Sequence, residues 1–61
     1  MNKRYEEIRA QLVTELEFNL SIHCKLNARA RIRKIADLDY EVKGIDREET
    51  MRKFNYHKTE L

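Results

Sequence analysis

Apolar residues recur along this chain in two long runs with helical spacing. Tyr5, Ile8, Leu12, Leu16 and Leu20 follow one another in steps of three and four, with Val13 beside them. That period places them on one side of a helix, and Glu6, Glu7, Glu15 and Glu17 fall mostly away from it. The first run predicts a helix over residues 2–24. Ala28, Ile32, Ile35, Leu38 and Val42 form the second run. It predicts a helix over 28–43, with Asn27 placed to cap it by accepting a backbone N–H of the first turn.

Gly44 follows the second run, where a helix end favours a left-handed residue without a Cβ. Asp46 and Glu49 then have the spacing of a capping box. Glu48 adds negative charge at the positive end of the dipole. A third, shorter helix is expected over 46–55, with Met51 and Phe54 on its apolar side. The tail 56–61 carries no clear pattern and is expected to fray. With connections this short, the expected fold is a single all-α domain, a bundle of two longer antiparallel helices and a shorter third.

Composition agrees and sets limits. The 61 residues include no proline, one glycine and 39% charged side chains, a mixture that suits helices better than hairpin-rich sheets. Chains this short bury only about 60% of the surface that the unfolded state exposes. About fifteen large apolar side chains make a thin interior for a monomer, so a homodimer or a partner that completes the core enters the picture. Cys24 is the only cysteine, which excludes an internal disulfide and points to a reducing, cytoplasmic setting. The N-terminus MNKRYEEIRA has charges with no apolar run behind them, unlike a signal peptide. No stretch approaches the roughly 20 apolar residues of a membrane span.

The charge is uneven. Residues 1–24 carry three basic and four acidic groups, residues 25–34 five basic and none acidic, and residues 35–61 five basic and seven acidic. Lys25, Arg29 and Arg33 step by four and form one stripe, with Tyr40 further along nearly the same line. Such a stripe can track phosphates. It can equally answer Glu15 and Glu17 across the hairpin, and the small net charge of +2 favours that reading.

Candidate chemistry is sparse. His23, Cys24 and His57 are metal-ligating types, but two are adjacent and the third is remote, unlike the paired spacings of zinc sites. A nucleophilic Cys–His pair has to converge in a pocket, and neighbours on one helix do not. Asp37 and Asp39 are two apart and face different sides. No metal, cofactor or catalytic residue is expected. The segment EETMRKFNYHKTEL resembles the front half of a helix-turn-helix unit. Met51 would take the small-residue position, Asn55 the turn position usually held by glycine, and Leu61 an apolar position of the second helix. That resemblance implies a recognition helix for the major groove, for which no residues remain.

Phe18 and Ile22 are four apart and share a side of the first helix, well over 100° from the Leu12–Leu16–Leu20 stripe. Either Met51 and Phe54 of the third helix cover them or they form a protein contact; the expectation is a mixed case, with Ile22 inward against the third helix and Phe18 at the edge of a contact surface. The functional expectation is a small non-catalytic helical regulator or inhibitor that binds another protein, as chains of this size from phage or other mobile elements often do. The alternatives are a nucleic-acid-binding regulator using Lys25, Arg29 and Arg33, and a small subunit or stabiliser of a larger assembly.

Overall fold

The computed structural model describes residues 3–59. The fold is all-α. Helices α1 (Lys3–Ser21) and α2 (Lys25–Lys43) form an antiparallel hairpin, α3 (Arg47–Lys53) is short, and a single 3₁₀ turn follows at Tyr56–Thr59.

The first turn lies earlier than the apolar period suggests. His23 takes the left-handed conformation, with φ 60°. The His23 N–H donates to the Leu20 carbonyl at 3.1 Å and the Cys24 N–H to the Asn19 carbonyl at 2.8 Å. These two bonds are the Schellman pattern, which satisfies the last carbonyls of α1 and reverses the chain at once. Cys24 therefore becomes the N-cap of α2 and makes no side-chain cap bond. Asn27, expected at that cap, lies within the first turn of α2.

The second turn is as expected at Gly44 and in its cap Asp46, whose side chain however accepts from Glu48 and not from Glu49, the capping-box position. Gly44 has φ 68°, its N–H donates to the Tyr40 carbonyl at 2.9 Å, and the Ile45 N–H donates to the Asp39 carbonyl at 3.3 Å. Asp46 then caps α3, its Oδ1 accepting the Glu48 N–H at 3.0 Å. At the far end Asn55 is left-handed, with φ 57°. The segment after it closes into a 3₁₀ turn in which Thr59 donates to the Tyr56 carbonyl. The tail is thus docked rather than frayed as far as Thr59, which is buried. Asn55 does occupy a turn position, but a single 3₁₀ turn stands where a helix-turn-helix unit would begin its second helix. Leu61 and Glu60 lie outside the described residues.

The core gathers Leu16, Ala28, Ile32 and Ile35, with Leu12, Val13, Met51, Phe54 and Tyr56 packed against it. Helix α3 rests on α2 rather than on α1. The expected stripes hold except at three positions: Tyr5 and Ala28, which open them, are buried, but Ile8 and the closing Leu20 and Val42 are exposed. A helix with one full-length neighbour buries a narrower arc than a period of three and four supplies.

Asp39 occupies the slot in α2 that the series Ala28, Ile32, Ile35 reaches next, and it is only 2% exposed. Its Oδ1 accepts from Tyr5 Oη at 2.7 Å and Arg9 Nε at 2.9 Å, and its Oδ2 from Arg9 Nη2 at 3.2 Å and Thr50 Oγ1 at 3.1 Å. One carboxylate thereby joins α1, α2 and α3. Burial alone would push its pKa up. The hydrogen bonds from Arg9, Tyr5 and Thr50 outweigh that and hold it below the usual 3.8. Burial raises the Tyr5 phenol, and its bond to Asp39 raises it further, so Tyr5 stays a donor.

Candidate protein-binding face

The ion pairs and stacks fix which side of the hairpin each helix position faces. Arg9 reaches towards α3, its guanidinium 5.6 Å from the Phe54 ring centroid. Arg29 stands 4.4 Å over the Tyr56 ring and donates from Nη2 to Tyr56 Oη at 2.9 Å. These residues define the covered side. Arg31 Nε lies 3.1 Å from Glu15 Oε1, and this ion pair lies on the opposite side. At about 100° per residue, that open side carries Arg4, Ile8, Gln11, Glu15, Phe18 and Ile22 from α1. From α2 it carries Asn27, Arg31, Lys34, Leu38 and Glu41.

Phe18 is 60% exposed and Ile22 54%. Ile22 is not inward against α3, because Met51 and Phe54 pack on the core from the other side. Towards the other end of the same face, Glu7, Ile8, Gln11 and Leu12 line a shallow groove. Along the face, charged Arg4 and Glu41 are followed by apolar Ile8 and Leu38, then by polar Gln11, Lys34, Glu15 and Arg31, and last by apolar Phe18 and Ile22. Leu26 is also exposed, at 66%, but its position in α2 turns it to the α3 side.

The basic stripe is divided among several roles. Arg29 is taken up by Tyr56. Arg33 lines a shallow cleft with Ala36, Asp37, Arg47 and Met51. Tyr40, further along the same line, lies under the Arg47 guanidinium at 4.0 Å, and Arg47 Nε donates to Asp37 at 2.7 Å. Lys25 is exposed at the start of α2. The acid at Glu15 is answered by Arg31 and not by the stripe itself.

Of the metal-ligating types, His23 holds the turn, Cys24 is a half-buried cap, and His57 Nε2 lies 2.7 Å from Glu48 Oε2. Among the described residues no group of three or more His, Cys, Asp or Glu side chains could hold a metal ion. No helix among them is long and apolar enough to cross a membrane.

The residue the sequence reading missed is Asp39. Its signal was available: it continues the spacing Ala28, Ile32, Ile35, so a carboxylate stands in a core slot. Tyr5 and Arg9, four apart on α1, supply its donors.

Among the described residues the chain is a small all-α bundle of three helices, two long and one short. Compared with known proteins, the chain matches no family model, no curated protein and no solved structure.

Proposed function

We propose that this chain is a non-catalytic helical module that binds another protein through the open face of its hairpin and thereby regulates or inhibits it, with Phe18 and Ile22 as anchors. The observation that carries this reading is the exposure of those two side chains on the one face that α3 leaves uncovered. Fully burying an apolar side chain of this size is worth about 1.5–3 kcal/mol. Interface energy also concentrates in a few such anchors, aromatic ones above all. A single free cysteine suits action in a reducing compartment.

The test is affinity capture from the source cell with tagged wild-type protein and with Phe18→Ser and Ile22→Ser, helicity being followed by circular dichroism. Wild type retains a protein partner, and retention survives raised salt because the anchors Phe18 and Ile22 are apolar. Both variants stay helical and lose it. Retention that instead collapses steeply with salt and requires Lys25 and Arg33 would identify a nucleic-acid binder.

A further inference from the structure

We propose that the occupant of the open face is a second copy of this chain, giving a two-fold dimer in which two hairpins form an antiparallel four-helix layer. This rests on the reading of that face as a docking surface, and the second copy competes for it with any other protein. The support is the way charge and apolarity alternate along it.

The pairs Glu15–Arg31, Tyr5–Asp39 and Arg9–Asp39 fix which positions of α1 and α2 stand level. In the same register Arg4 stands level with Glu41, Ile8 with Leu38, and Gln11 with Lys34. Consider two copies facing each other across a two-fold axis that runs along the hairpin. The operation leaves heights unchanged and lays α1 of one copy against α2 of the other, antiparallel. Arg4 then meets Glu41 of the second copy, Ile8 meets Leu38, Gln11 meets Lys34, and Glu15 meets Arg31. Each level pairs opposite charges, an amide with an ammonium, or apolar with apolar. Phe18 and Ile22 close over the first turn of the second copy's α2. A two-fold axis across the hairpin at the level of residues 32–33 instead lays α2 on α2 and sets Arg31 opposite Lys34, a like-charge contact that disfavours that arrangement. An isologous interface requires this self-complementarity. A standard interface hides about 800 Å² per partner, about a sixth of the 4646 Å² this chain exposes.

The experiment is sedimentation equilibrium on the full chain from about 10 μM to about 1 mM, a range that spans weak dimers. The expected mass is twice 7.4 kDa, falling to a single chain in Ile22→Ser. Arg4→Glu and Glu41→Arg, each alone, set like charges across both symmetry-related contacts and weaken the dimer about tenfold or more. Mixed in equal amounts, they restore wild-type association, because every contact again pairs opposite charges. Circular dichroism on each variant shows that the hairpin is folded. A wild type that stays monomeric throughout overturns the proposal. So does a dimer whose two charge variants do not rescue each other. A monomeric wild type whose Ile22→Ser variant still loses a captured protein removes the second copy and leaves the docking face standing. A dimer indifferent to both Ile22→Ser and Phe18→Ser overturns the proposal too, and leaves the docking face to be decided by capture of another protein.

Discussion

Replacing Asp39 with alanine tests the polar centre of the fold. The carboxylate is 2% exposed and accepts four hydrogen bonds from three side chains. Asp39→Ala leaves the Tyr5 hydroxyl and the Thr50 hydroxyl without this acceptor inside the protein. A buried donor left without its acceptor, as at Thr50, costs about 1–3 kcal/mol, and the loss of one bond at Tyr5 about 0.5–1.5 kcal/mol. The Arg9 guanidinium also loses its partner, but its side chain is 29% exposed, so it can turn to water and its share is smaller. The expected total is about 3–5 kcal/mol, the range for breaking a buried pair by removing one member. At about 0.05–0.15 kcal/mol per residue, a domain of this length holds only about 3–9 kcal/mol in all. Asp39→Ala should therefore be largely unfolded at room temperature, as far-UV circular dichroism through a urea titration would report. Asp39→Asn keeps an acceptor oxygen and should retain more of the fold. A double-mutant cycle with Tyr5→Phe assigns the bond: the phenylalanine change should cost about 1–2 kcal/mol in wild type and almost nothing beside Asp39→Asn or Asp39→Ala. An Asp39→Ala variant within 1 kcal/mol of wild type would refute the reasoning, since the estimate for the two buried donors alone exceeds that.

Acid should weaken the fold through the same group. The Asp39 pKa is depressed on folding, so its contribution is fully present above the unfolded value near 3.8 and is lost as pH falls through the lower folded value; urea midpoints against pH should drop below about pH 5 in wild type, and that limb should flatten in Asp39→Asn. Gly44→Ala should cost about 1 kcal/mol from left-handed strain alone, because a Cβ there meets nothing within 4 Å, whereas His23→Gly should raise the melting temperature by relieving the same strain at φ 60°. Arg29→Ala should loosen the 3₁₀ turn, seen as faster amide exchange at Lys58, by removing a stacked contact worth about 0.5–2 kcal/mol. Wild type should pass through heparin unretained at physiological salt, and a steep salt-dependent retention lost in Lys25→Glu with Arg33→Glu would reverse the ranking of protein over nucleic acid.

How much of this was legible in the chain depended on the range of the interaction that decides each feature. Gly44 and Asp46 act within a few residues of themselves, so the end of α2 and the start of α3 could be read directly. The apolar stretches Leu12 to Leu16 and Ala28 to Ile35 could also be read, because a helix period needs no knowledge of the partner. The first turn could not. Histidine carries no left-handed preference as strong as that of glycine, and the Schellman closure at His23 forms because the two helices meet there. Asn55 differs, because asparagine tolerates the left-handed conformation and its turn position could be read. The exposure of Ile22 turned on which side of the hairpin α3 covers, a matter of tertiary geometry. Asp39 is intermediate. Its core spacing was visible, but its three donors come from positions 34, 30 and 11 residues away.

The two polar pairings that cross the hairpin divide its labour. On the covered side the Asp39 cluster is buried, multiply bonded and joined to α3, so it fixes how far α2 slides along α1. On the open side the Glu15–Arg31 pair is half-buried, with side chains 39% and 30% exposed, and Arg31 Nε is shielded from water without an aligned hydrogen bond. Partly exposed pairs of that kind contribute little to stability, about 0–1 kcal/mol, and their partners can be exchanged at small cost. The register is therefore set by the side a partner does not touch, while the charges a partner would meet remain free to re-pair. This separation is why substitutions at Arg4, Ile22 or Glu41 should change association without unfolding the hairpin, and why Asp39 should do the reverse.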